Sequence, residues 1–189
     1  MDYYKQIFKW KSFHVFRDIG TIVEEENNMI QTTAIIGMGA LGLLYADRIV
    51  SARGKEGTTF ILDAERVERY KGKEFTINGE KKDFKMSAAS DMEPVDLVIV
   101  AVKYNGLASA IETMRPCVGE NTIILSVMNG IDSEEIIAKT YGKEHMIYTV
   151  AQAMDAMKFG DALNYTQEGE LRIGIVEESQ RKNLEAVCQ

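Results

Sequence analysis

Apolar positions along the chain fall into two kinds of run. Short unbroken runs, "TTAIIG" (32–37), "TTFILDA" (58–64), "VDLVIVAVK" (95–103), "NTIILSVMNG" (121–130) and "HMIYTVAQAM" (145–154), read as strands in a buried sheet. Helical spacing separates them: Leu41, Leu44, Tyr45 and Ile49 share one face of a helix over 40–52. "ERVERYKG" closes at Gly72, "GLASAIETM" (106–114) is ended by Pro116, and "SEEIIAKTYG" (133–142) starts with Ser133 as its expected N-cap. "EFTINGEKKDFKMS" alternates around Asn78-Gly79 and predicts a hairpin, and "DALNYTQEGELRIGIV" predicts another turning near Glu168-Gly169. A further helix is expected from Glu177 onward. Strands alternating with helices predict an α/β fold whose parallel sheet is covered on both faces.

The first strand and helix are joined by "AIIGMGALG" (34–42), with glycines spaced G-x-G-x-x-G. In that setting Gly37 permits the tight turn out of the strand, a bare Gly39 lets a diphosphate approach the backbone, and Gly42 brings the helix close to the sheet. The helix entered through Met38, Ala40 and Leu41 then aims its unpaired N–H groups at phosphate charge. The expectation is a Rossmann-like, doubly wound parallel sheet over residues 32–176 that binds a dinucleotide. Asp63 lies 21 residues beyond Gly42, where an acid accepts the ribose hydroxyls of NAD; Arg66 and Arg69 just downstream are alternatives suited to the 2′-phosphate of NADP.

Ligands of such sheets bind beyond the carboxyl ends of the strands. Two strand ends stop abruptly in polar residues: Lys103 in "VAVKYNG" and Asn129 in "LSVMNG". A lysine there can hold a carboxylate or carbonyl oxygen, and an asparagine amide can hydrogen-bond a nicotinamide ribose or a keto acid; a solvated strand end and a simple turn are the plainer alternatives. Tyr104 and Met128 on the same rim read as packing, His145 as a surface histidine, and Gln152 as a residue able to line the cleft. The sequence shows no Ser/His/Asp order, metal-ligand cluster or second phosphate loop.

Composition narrows the partners. A net charge of -7 disfavours a nucleic-acid backbone. No run approaches the length of a membrane span, and the two cysteines, Cys117 and Cys188, have no metal-site spacing, so a cytoplasmic location is expected. Residues 1–31 form an amino-terminal extension rich in aromatics up to Phe16, read as a helix packing on the body or as a partner- or membrane-surface arm; Met29 is an alternative start of the domain.

"IIGMGALGLLYA" together with "DLVIVAVKYNGLASAIETMRPCVGENTIILSVMNGIDSEEII" resembles the ketopantoate reductases (2-dehydropantoate 2-reductases), a likeness covering residues 33 to 176. The resemblance implies an oxidoreductase that reduces the C2 ketone of ketopantoate with NADPH in pantothenate synthesis. It places Gly37, Gly39 and Gly42 at the pyrophosphate, and Lys103 and Asn129 at cofactor and substrate. The family commonly carries an arginine where this chain has Asp63, so NAD stays open beside NADP. The family has a helical carboxyl-terminal domain with its catalytic lysine, expected to be truncated here: residues 177–189 are read as its start, the main catalytic lysine is expected beyond the chain end, and this chain alone is expected to be weakly active or inactive. Self-association through an uncovered docking face is expected. The alternatives are an NAD(P)-sensing regulatory module and another 2-keto or β-hydroxy acid dehydrogenase.

Overall fold

The computed structural model describes residues 9–13 and 30–188. Its main sheet has eight strands: β1 (Lys9–Phe13), β2 (Thr33–Ile36), β3 (Thr58–Leu62), β6 (Lys85–Ala88), β7 (Leu97–Val100), β8 (Ile123–Ser126), β9 (Met146–Met154) and β12 (Glu168–Ile175). A second sheet holds β4 (Phe75–Ile77), β5 (Glu80–Lys82), β10 (Met157–Phe159) and β11 (Ala162–Asn164). Among the described residues the α-helices are α1 (Ala40–Arg53), α2 (Ala64–Tyr70), α3 (Leu107–Thr113), α4 (Ser133–Tyr141) and α5 (Arg181–Val187).

The main sheet runs in the order β1-β12-β9-β8-β7-β2-β3-β6. From β9 to β6 every neighbouring pair is parallel, whereas β12 and β1 are antiparallel additions. The chain leaves β2 for β3 on one side and later returns to β7 on the other. The order therefore reverses at β2, which places the loop after β2 at the topological switch point.

Strict alternation within the continuous apolar runs feeds two cores. Ile35, Phe60, Leu62, Ile99 and Leu125 face α1, where Leu43 and Leu44 meet them. Ala34, Ile36, Ile61, Val98, Val100 and Ile124 face the other way, against Leu107 and Ile111 of α3 and Ile137 of α4. A strand apolar at every position is what two covered faces require.

The Asn78-Gly79 hairpin forms as expected, with both residues at positive φ (50° and 85°), the geometry of a two-residue type I′ turn. The second expected hairpin is corrected. Glu168 opens β12 opposite Met154, and the chain reverses instead at Gly160-Asp161, between β10 and β11. Gly169 uses its positive φ inside the β9–β12 ribbon, where a Cβ would lie 2.4 Å from the Gln152 carbonyl oxygen. The glycine answers crowding, not a turn. Across the ribbon Ala153 is also left-handed, at φ 62°.

Two local readings change as well. The residue at the N-cap of α4 is Asp132; the Ser133 hydroxyl, already inside the helix, donates to the Glu134 carboxylate at 2.7 Å. Residues 9–13 of the amino-terminal extension form β1, a strand along β12, where a helix was one reading. The rest of the expectation for the amino-terminal arm, including Met29, lies outside the described residues. From Glu177 the chain forms a short 3-10 turn and then α5, whose Leu184 is buried in the α1-side core.

Candidate functional site

Each glycine of the loop after β2 meets a different neighbour. Gly37 stands at φ 111°, and a Cβ there would lie 2.6 Å from the Ala101 carbonyl oxygen. At Gly42 a Cβ would lie 1.9 Å from the Gly37 carbonyl oxygen, so the first turn of α1 closes directly onto the loop backbone. Gly39 differs. Its backbone is extended (φ -77°, ψ -172°), open to any residue, and its Cβ would meet only the Ala101 oxygen at an ordinary 3.7 Å. The protein's own packing therefore requires glycine at 37 and 42 but leaves the space beside Gly39 clear.

Gly39 is also the N-cap of α1, with no side-chain cap and no acidic residue in the first turn. The first internal bond runs from Leu43 N–H to the Gly39 carbonyl at 3.0 Å, so the preceding amides lie ahead of any acceptor in the helix. Of the other helix starts nearby, Asp63 caps α2 and Glu134 and Glu135 lie in the first turn of α4, while α3, entered through Gly106, is likewise without a side-chain cap or an early acid. Ala40 and Leu41 are half-buried on the core, and the Met38 side chain is buried in it, so Met38 has only its backbone to offer a ligand. An open space beside a bare backbone, facing an uncompensated positive helix end, fits a diphosphate bridge.

A cavity of about 110 Å³ adjoins this loop and is lined in part by Gly37, Asp63, Arg66, Gly106, Ser109 and Thr113. Asp63 Oδ1 accepts the Arg66 N–H at 2.8 Å, and the Arg66 Nε lies 3.2 Å from Oδ2. The acid and the base that would select between NAD and NADP thus lie together on one wall. Both are more than half exposed, so the pair contributes less than about 1 kcal/mol to stability. Arg69 pairs instead with Glu65 at 2.8 Å, one turn along α2, away from the cavity lining. Ser109 and Thr113 escaped the sequence reading; their spacing of one helical turn was the available signal, and the Thr113 hydroxyl donates to the Ser109 carbonyl at 2.9 Å.

Lys103 follows β7 and Asn129 follows β8; both are exposed, and the two strands are parallel neighbours. Since β7 also neighbours β2, the glycine loop, Lys103 and Asn129 occupy consecutive strand ends of one sheet edge. Lys103 opens the 3-10 turn Tyr104–Gly106, its carbonyl accepting the Gly106 N–H at 2.8 Å. Met128 packs against the second core, as expected. Tyr104 does not pack: its side chain is 64% exposed on the rim. Gln152, half-buried on the β9–β12 ribbon, donates to Glu170. His145 is removed from the site. It precedes β9 at the opposite sheet edge, half-buried, with Nδ1 2.7 Å from the Thr122 carbonyl oxygen.

Among the described residues no group of histidines, cysteines and acids is arranged to hold a metal ion, and no helix is long and apolar enough to cross a membrane. Burial pushes the Cys117 thiol up to about 11, which keeps it unreactive in the core.

Comparison with known proteins identifies the family of the chain. The family pattern of the ketopantoate reductases PanE/ApbA matches residues 33–178. The 2-dehydropantoate 2-reductase of Aquifex aeolicus is 31% identical over 123 residues, covering 63% of this chain and 38% of that protein. The uncharacterized oxidoreductase YkpB of Bacillus subtilis is 26% identical over 117 residues, 60% of this chain and 38% of its own length. The chain thus spans about two fifths of the curated relatives it matches. Among solved structures, a 2-dehydropantoate 2-reductase from Geobacter metallireducens superposes with a TM-score of 0.59 at 26% identity, covering 72% of this chain and 47% of that one. A D-mandelate dehydrogenase solved with NADH and anilino(oxo)acetate shares the fold, with a TM-score of 0.59 at 24% identity over 71% of this chain and 45% of that one.

Proposed function

Since the chain belongs to the ketopantoate reductase family, we propose that residues 33–178 are the coenzyme-binding half of an NAD(P)H-dependent reductase acting on the C2 ketone of ketopantoate. The observation that carries the reading is the space beside Gly39, which the protein's own packing does not fill. The backbone of Gly37, Met38 and Gly39 and the first-turn amides of Ala40, Leu41 and Gly42 hold the diphosphate. Asp63 and Arg66 receive the adenosine ribose in the adjoining cavity. When bound there, a reduced nicotinamide supplies the hydride.

The chain's own residues bind and orient. Lys103 and Asn129, on neighbouring strand ends, project polar groups where a keto acid's carboxylate and carbonyl oxygen need donors. Hydride addition leaves an alkoxide that must be protonated, a step for which a positioned acid contributes about 10²–10⁴-fold. None of the residues assigned above is given that proton; turnover of ketopantoate by this chain measures whether one of them donates it.

Asp63 favours NADH. Its carboxylate accepts the ribose hydroxyls, and with Oδ1 already held by Arg66 N–H it cannot turn away from a 2′-phosphate. The likeness to a dehydrogenase bound to anilino(oxo)acetate gives a second reading, reduction of bulkier 2-keto acids on the same coenzyme frame. Calorimetry with NADH and NADPH, followed by turnover of ketopantoate and aryl 2-keto acids, tests both. Binding of NADH at least about tenfold tighter than NADPH is expected. No heat with either coenzyme would overturn the reading, and turnover confined to aryl substrates would select the second.

A further inference from the structure

A buried polar cluster lies beneath the loop that carries Asn129, and none of the roles above uses it. Ser126, the last residue of β8, and Ser133, the first residue of α4, bracket residues 127–132. Their hydroxyls meet at 2.8 Å, Ser126 donating to Ser133. Ser133 donates onward to Glu134 Oε2 at 2.7 Å, and Glu134 Oε1 accepts the Thr149 N–H of β9 at 3.3 Å. The Thr149 hydroxyl returns to the Ser126 carbonyl, closing a ring across two strands and a helix. All four residues are buried, Ser126 at 1% and Glu134 at 5% exposure. Beside the ring, Tyr148 donates to Glu135 at 2.7 Å, and Ile137 and Ala138 of α4 lie in the apolar core.

Above this ring the loop is bare. Asn129, Gly130 and Ile131 are exposed, Ile131 at 88%, and the backbone enters the left-handed region at Gly130 (φ 114°). The loop's main-chain anchorage near its start is the Val127 N–H, donating to the Val100 carbonyl at 3.0 Å. A carboxylate taken out of water is costly and is kept only where donors converge on it. Here the donors are the Ser133 hydroxyl, itself held by Ser126 at the other end of the loop, and the Thr149 N–H of the next strand.

We propose that Ser126, Ser133 and Glu134 are positioning residues: the ring clamps the two ends of the 127–132 loop and thereby fixes Asn129 toward the nicotinamide end of the coenzyme. The second half of this statement rests on the coenzyme reading above; the clamp itself does not. The order in the ring sets a direction. Ser126 donates to Ser133, so Ser133 is free to donate to Glu134, and removal of either hydroxyl leaves a buried oxygen without its partner.

Two measurements on the full chain separate the two halves. Amide hydrogen exchange in Ser133→Ala and Ser126→Ala should quicken by about tenfold or more at residues 128–131, with β2 and β7 unchanged. Calorimetry should then show the Ser133→Ala protein binding NADH about three- to tenfold more weakly while ADP-ribose, which lacks the nicotinamide, binds within about twofold of the unaltered protein. Glu134→Gln, which keeps an acceptor for Thr149 and lets the amide donate to Ser133, should restore most of the NADH-to-ADP-ribose ratio relative to Glu134→Ala. A merely structural role would lower the melting temperature and leave that ratio unmoved. Unchanged exchange at 128–131 overturns the clamp even if coenzyme binds. Altered exchange with an unchanged ratio overturns the positioning of Asn129. Failure of the unaltered protein to bind NADH overturns the coenzyme reading and the role of Asn129 with it, while the exchange result still decides the clamp.

Discussion

At the scale of single residues, the loop's glycines divide by what a methyl group would strike. Gly42→Ala places a carbon 1.9 Å from the Gly37 carbonyl oxygen, a backbone atom that cannot step aside without moving the strand end. A loss of about 3 kcal/mol or more is expected, read as a drop in the denaturant midpoint of the apoprotein. Ala153→Gly should act in the opposite direction. Its left-handed backbone (φ 62°) costs an alanine about 1–2 kcal/mol, more than the ~0.4–1 kcal/mol of unfolded-chain entropy that glycine adds. A higher melting temperature is expected, and an unchanged or lower one would show that the ribbon is not strained there.

This scale also shows how far the sequence could be read. Gly37 and Gly42 were legible because a strand-to-helix turn has few solutions. Gly169 was misread because a positive φ serves a crowded strand as well as a turn, and only the strand opposite, through the Gln152 carbonyl, distinguishes them. Ser133 has the side chain of an N-cap, yet its hydroxyl is taken by Glu134 and Ser126, partners that only the fold brings within reach. Tyr104 was taken for packing because aromatics usually bury; its exposure follows from a 3-10 turn that no periodicity announces.

At the scale of elements, Asp63 links β3 to α2 and does two jobs. As N-cap it satisfies the Arg66 N–H, and Asp63→Ala should cost about 1 kcal/mol of stability. On the coenzyme reading the same change removes the ribose acceptor and leaves Arg66 unpaired, so preference should move from NADH toward NADPH, measured as the ratio of their dissociation constants. Asp63→Asn keeps the cap and removes the charge; a shift with Asn but no loss of stability would separate the two jobs. The strands themselves were legible in place and order, though not in their ends (the fourth run reaches Gly130 where β8 stops at Ser126), because β2, β3, β7 and β8 are buried on both faces and read as unbroken apolar runs. The small sheet was legible only in its β4–β5 hairpin: β11 pairs in parallel with β4, a contact such as Leu163 with Ile77 between distant segments that no local pattern reveals.

For the molecule as a whole, Asp96 joins the entry of β2 to the entry of β7. It accepts the N–H groups of Gln31 and Thr32 at 2.9 and 2.8 Å and the Thr32 hydroxyl at 2.9 Å. Burial alone would push its carboxyl up, but these donors hold it below the ordinary 3.8. A carboxyl depressed in the folded state contributes stability that is present above that ordinary value and is lost as pH falls through the folded one. Stability should therefore decline below about pH 4 with a proton uptake that Asp96→Asn reduces, checked by denaturant titration across that range. Across the molecule the apolar pattern carried the sheet and its two cores, and the glycine loop carried the switch point. Cavity lining by Ser109 and Thr113 came from α3, whose relation to β3 is a matter of topology alone.

The central claim is that the space beside Gly39 is reserved for a coenzyme diphosphate, and Gly39→Ala tests it most directly. The methyl group would stand 3.7 Å from the Ala101 carbonyl oxygen on an extended backbone, so the variant should lose no more than the roughly 1 kcal/mol that alanine costs at an N-cap. Titration calorimetry should then show NADH binding weakened by about tenfold or more. A variant within that margin that binds NADH with unchanged affinity would contradict the account.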